Sequence, residues 1–196
     1  MNALPCILIA ALVTLATTTT ATASLNDRYP ANEYGALEVP EISALASSIA
    51  GAPVTAICAP EDPAMDGWTY AYEDPNGRVV VEPVVYLSGE HCGALDKLIH
   101  WRENTRWLGR RKHAKLDVWG VSDHLYNASV AIIALVHESM HVRLQSLDEG
   151  VVECVAIRNT WPVITRLGLP RWAQSELLLG AQDNHDQLAA SYRTVC

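Results

Sequence analysis

Residues 136–142 read Val-His-Glu-Ser-Met-His-Val, and His137, Glu138 and His141 within them have the types and spacing of a hydrolytic metal site. On a helix, positions i and i+4 share a face one turn apart, so both imidazoles direct a ring nitrogen at one ion. Imidazole suits Zn2+, which in catalytic sites takes three protein ligands and keeps one position open. Glu138 stands beside the first histidine, where a carboxylate reaches a water activated by the ion and serves as its general base. A pair of core histidines gives that Glu no task, and neither does a purely structural zinc site.

Two histidines need a third ligand. Asp148-Glu149-Gly150-Val151-Val152-Glu153-Cys154 follows the Gln145-Ser146-Leu147 turn and starts another helix. Glu149 comes eight positions after His141, and Glu153 lies one helical turn further along the same face. A helix folding back antiparallel brings both carboxylates near His137 and His141. Helix-dipole complementation accounts for an acid in the first turn at Glu149 but not for Glu153. From spacing alone, either acid can be the ligand.

These residues resemble the gluzincin metallopeptidases, whose zinc is held by the two His of HExxH and by a Glu on the following helix. Asp148-Glu149-Gly150-Val151-Val152 is similar to the N/D-E-G-x-A segment that supplies that Glu. Glu149 with Glu153 is similar to the E-x-x-x-D/E variant, whose second acid orients a ligand His. The segment also resembles small exported bacterial proteins with H-E-x-x-H…D-E-x-x-x-E-C-x-A, here His137 to His141, Asp148, Glu149, Glu153, Cys154 and Ala156. The resemblance implies a zincin-like fold and a secreted zinc metallopeptidase that hydrolyses peptide bonds. One Zn2+ would sit on His137, His141 and Glu149, with Glu138 as base. Glu153 would hold a ligand histidine or be the alternative ligand. Only seven residues separate His141 from Glu149, where many gluzincins have nearly twenty. The usual oxyanion donor, a downstream His or Tyr, has candidates by residue type alone: His185, Tyr192 and His124. The alternative function is a secreted binding module or inactive pseudoenzyme on the same disulfide-tied scaffold.

The elements that must carry these residues can be read from periodicity. Ile42, Leu45, Ala46 and Ile49 follow helical spacing after Pro40 and stop at Gly51. Residues 53–58, 68–73, 78–81 and 84–87 read as strands, with a hairpin turn at Asp74-Pro75-Asn76-Gly77 and an edge or break at Pro83. From residue 93 the period becomes helical. Ala94, Leu95, Leu98 and Ile99 form one helix, and a long one runs over about residues 123–144. Residues 128–136 are apolar all round, which predicts burial at the domain centre. Further helices are predicted over 148–159, broken near Pro162, and from Pro170 onward through Leu177, Leu178, Ala181, Leu188 and Tyr192. A small N-terminal antiparallel sheet followed by a helical half gives an α+β class.

Composition fits this reading. Residues 1–23 contain no Asp, Glu, Lys or Arg, and residues 4–16 are almost unbroken apolar before Ala21-Thr22-Ala23, a signal-peptide cleavage pattern. Removal leaves 196 − 23 = 173 residues as one domain, 24–196, destined for a secreted or periplasmic location. A net charge of −8 disfavours nucleic acid as a partner, and the mature chain has no apolar run long enough to cross a membrane. The partner implied is a peptide or protein substrate. Half of the fourteen basic residues lie between Lys97 and Lys115, which in an acidic chain reads as a solvated face. Four cysteines remain after cleavage, and an even count in an oxidising compartment predicts two disulfides with three possible pairings; Cys58–Cys92, tying neighbouring N-terminal segments, with Cys154–Cys196, pinning the C-terminal residue, is the favoured one.

Overall fold

A computed structural model describes residues 29, 31, 36–59, 67–103 and 123–188. The proposed leader, most of the basic cluster, Tyr192 and Cys196 lie outside them. The elements in chain order are β1 (Leu37–Glu38), α1 (Pro40–Ala50), β2 (Thr55–Ala59), β3 (Gly67–Glu73), β4 (Val79–Ser88), α2 (Gly89–Ile99), α3 (Asp123–Leu144), α4 (Glu149–Arg166) and α5 (Arg171–Gln187). Strands precede the long helices, so the class is α+β.

The sheet is mixed rather than wholly antiparallel. Its order is β1-β2-β4-β3, with β2 and β4 parallel and the other two pairs antiparallel. The β3–β4 hairpin turns where expected: Asp74 Oδ1 accepts from the amides of Asn76 and Arg78, and Gly77 takes the left-handed φ of 75° the turn requires. The two segments on either side of Pro83 are one strand, β4, lying between β2 and β3. Proline fits there because β2 begins pairing only at Val84, while the β3 ladder is irregular between Thr69 and Ala71. No ladder bond needs the missing N–H at that point.

α3 is the hub. Leu125, Ala128, Ala131, Ile132, Leu135, Val136 and Met140 are all fully buried, and the helix touches α1, α2, α4, α5, β3 and β4. Apolar residues all round its middle require neighbours on most sides, and the stripe through Val130 and Ala134 is left half-buried. α5 comes especially close. A Cβ at Gly180 would collide with Ser129 Oγ of α3, so glycine permits that crossing.

α4 runs unbroken through Pro162, against the expected break. Pro162 and Arg158, whose carbonyl loses its donor, are on the exposed side, while Thr160, Val163 and Ile164 are buried on the other. Burial of the last turn outweighs the roughly 3 kcal/mol that an internal proline costs.

The turn between α3 and α4 is only residues 145–148. Gln145 takes a positive φ of 50°, unusual for a side-chain-bearing residue. Its amide is held from three sides: Oε1 accepts from Val81 N at 3.0 Å, and Nε2 donates to Val81 O at 3.2 Å and Val142 O at 2.8 Å. One side chain therefore pins the end of α3 to β4, three residues before β2 begins to pair. Gln145→Ala leaves both polar groups of buried Val81 without these partners. It should lower unfolding free energy by about 1–3 kcal/mol, measured by urea titration of the metal-free protein.

The expected disulfide Cys58–Cys92 ties β2 to α2, with a Cα–Cα distance of 5.9 Å. Cys154 is also disulfide-bonded; the partner expected for it, Cys196, lies outside the described residues.

Candidate metal centre

His137, Glu138 and His141 lie in the last two turns of α3, and the short turn decides what faces them. Reversing the chain within four residues sets Glu149, the first residue of α4, against the C-terminal end of α3. Asp148 caps α4 by accepting from Val151 N, and Ser146 Oγ accepts from Asp148 N, so both side chains fix the reversal. This geometry accommodates a seven-residue gap, since no further chain is needed to bring the acid back.

Three donor atoms converge. His137 Nε2 and His141 Nε2 are 3.0 Å apart, and Glu149 Oε2 is 2.9 Å from the first and 3.4 Å from the second. The opposite ring nitrogens are engaged. His141 Nδ1 donates to Ser146 O at 2.7 Å, and His137 Nδ1 donates to Glu153 Oε2 at 2.8 Å. Those bonds set the tautomer, with the Nδ1 proton outward and the Nε2 lone pair inward. Ser146 O serves one histidine and Glu153 the other. Glu138 joins the two histidines in a cluster with donor atoms within 4.8 Å of one another, a looser spacing than that of Glu149. Such a group of His and Glu side chains, largely buried, can hold a metal ion.

The fit can be tested on distance. Zinc with bonds of about 2.0–2.2 Å places tetrahedral ligands about 3.3 Å apart. The three separations here, 2.9, 3.0 and 3.4 Å, bracket that value. Three acceptors this close repel unless a cation or a shared proton lies between them.

The protonation equilibria express the same crowding. Burial works to lower the pKa of His137, but the Glu153 hydrogen bond and the charges of Glu138, Glu153 and Glu149 outweigh it, so the value rises. His141 moves down, through burial first and the neighbouring His137, against the opposing pull of Ser146 and Glu149. Glu153 is held below its usual range because the donors on His137 and His185 outweigh its burial. Glu138 is pushed up to about 7, chiefly by burial and also by the charge of Glu149, with His137 and the Thr69 side chain partly opposing. A carboxyl titrating near neutrality is matched to proton transfer.

Strand β3 forms the wall behind Glu138. Thr69, which also lines the cavity, favours the charged form of the Glu138 carboxyl. Gly67 gives it room, since a Cβ there would come within 3.1 Å of Glu138 Cγ and 3.2 Å of Tyr86 O. The cavity in front is about 350 Å³. Val130, Ile133 and Ala134 extend along the same stripe of α3 as the histidines, giving it an apolar end opposite the polar one. Trp68, Leu188 and Asn184 also line it.

Of the expected oxyanion donors, the two among the described residues, His124 and His185, do not line this cavity. His185 reaches Glu153 instead, Nδ1 to Oε1 at 2.7 Å. His124 belongs to the first turn of α3, thirteen positions and about 20 Å of helix from His137. Tyr192 lies outside the described residues. Sequence reasoning missed Gly67, Thr69, Ser146 and Asn184 as parts of the site. The first two come from a strand some seventy positions away, and Ser146 acts through its backbone, so neither kind of contact leaves a local signature.

Comparison of the chain with protein-family models, with curated proteins and with solved structures finds no match.

Proposed function

We propose that the protein is an exported zinc metallopeptidase of gluzincin type, with His137, His141 and Glu149 as ligands and Glu138 as general base. The observation that carries this is the convergence of three lone-pair donors at tetrahedral-edge distances, beside a buried carboxyl titrating at about 7. Bound zinc supplies Lewis acidity, lowering the pKa of a water to about 7 and polarising a carbonyl. Glu138 takes the proton from the attacking water and passes it to the leaving amine, held in place by Thr69 and the space at Gly67. Glu153 keeps the Nδ1 proton on His137, and Ser146 O keeps it on His141. The apolar floor at Val130, Ile133 and Ala134 excludes water and accommodates an apolar substrate side chain next to the scissile bond. The Cys58–Cys92 disulfide supports an oxidising compartment and hence a secreted or periplasmic protein, and no described helix is long and apolar enough to cross a membrane.

The direct test is metal analysis with activity. The purified chain should carry one zinc and cleave a mixed peptide library. A strong chelator should remove both properties, added zinc should restore them, and His137→Ala should have neither. A wild-type chain that holds zinc and cleaves nothing would instead identify a metal-bearing binding module.

A further inference from the structure

We infer that His185 is a positioning residue for the metal centre, acting from α5 through Glu153 on His137. The inference rests on the metal reading above and extends it to a residue that touches neither metal ligands nor cavity.

Glu153 is only 2% exposed, and each carboxylate oxygen has one histidine donor: Oε2 takes His137 Nδ1 at 2.8 Å and Oε1 takes His185 Nδ1 at 2.7 Å. A buried carboxylate with a single donor leaves one oxygen unsatisfied, which costs free energy and invites the group to rotate or take up a proton. A second donor on the other oxygen removes that incentive and fixes the carboxylate plane. The plane in turn sets the direction of the His137 Nδ1–H bond, and with it the aim of Nε2. The three side chains come from α3, α4 and α5, so this chain of bonds makes the aim of a ligand depend on the docking of the last described helix. Close packing of α5 on α3 at Gly180 and Ser129 places His185 within reach. The side chain of His185 is itself 17% exposed, and its Nδ1 proton is committed to Glu153.

Substitutions separate positioning from bulk structure. His185→Asn keeps an amide donor where Nδ1 stands. His185→Leu removes the donor, and His185→Gln moves it to the position of Nε2, out of line with Oε1. Zinc affinity would be read by competition with a chromophoric chelator, and urea unfolding of the metal-free chains would report stability separately. Removing a direct partner of a ligand histidine weakens metal binding by about 10–100-fold, so removing the next residue outward should weaken it by about 3–10-fold in the Leu and Gln variants. The Asn variant should stay within about twofold of wild type. In the metal-free chain, the slowly exchanging Nδ1 proton of His137 should be visible by nitrogen-edited NMR in wild type and His185→Asn, and broadened in the other two. Gln serves if Leu fails to fold. Equal zinc affinity and an unchanged His137 proton in the Leu or Gln variant would overturn the inference. A wild-type chain that takes no zinc would overturn the metal reading instead, and the NMR comparison would still decide the role of His185.

Discussion

Replacing Glu138 by Gln should leave zinc bound and lower peptide hydrolysis by about 10²–10⁴-fold, the range general acid–base catalysis contributes. The amide keeps the volume between Gly67 and Thr69 and cannot accept the proton from water. Zinc should remain because the two imidazoles and Glu149 are untouched; a variant that loses the metal would make Glu138 a ligand and end its assignment as base. The same substitution has a stability signature. The folded pKa of about 7 lies above the ordinary 4.5, so the folded chain binds this proton more tightly than the unfolded one. Stability from this group is therefore full below about pH 4.5 and lost as pH rises to about 7. At about 1.36 kcal/mol per pH unit, the penalty above pH 7 reaches up to about 3 kcal/mol. Metal-free Glu138→Gln should unfold like wild type near pH 4.5 and resist urea better above pH 7. Part of the gain is offset because Glu138 also supports the proton on His137. Parallel pH dependences for the two proteins would show that Glu138 titrates as an ordinary surface acid.

Glu149→Gln should abolish tight zinc binding, whereas Glu153→Gln should weaken it by about 10–100-fold. The difference follows from where each carboxylate points. Glu149 Oε2 faces the Nε2 atoms of both histidines, while Glu153 reaches the Nδ1 atom of one. An amide oxygen is a poor substitute for a charged ligand, but an amide at 153 can still accept from His137 Nδ1. Competition titrations on both variants decide the matter, and a Glu153→Gln chain that loses zinc while Glu149→Gln keeps it would exchange the two roles.

Residue type and spacing determined which groups stand together in the candidate metal centre. His137, Glu138 and His141 must share a helical stripe because helix geometry puts i and i+4 on one face, and the all-round apolar run before them required that helix to be central. The hairpin at Asp74–Gly77, the Gly51 stop and the α+β order are likewise local, set by backbone preferences that need no distant partner. The limits of α3 were legible for the same reason. The rest depended on contacts between segments far apart in the chain. Period-2 alternation does not say which way a strand runs, so the parallel β2–β4 pair was invisible. Pro162 read as a helix break because its cost is local while the burial of Val163 and Ile164 that offsets it is tertiary. By spacing Glu149 and Glu153 were equivalent, one turn apart, and resemblance alone favoured Glu149 as the ligand. Only the antiparallel docking of α4 aimed one carboxylate at Nε2 and the other at Nδ1. His185 looked like a substrate donor by type, and the packing of α5 turned it onto Glu153. A pattern one turn long fixes which groups can act together, but the direction of each side chain is set by what packs against it.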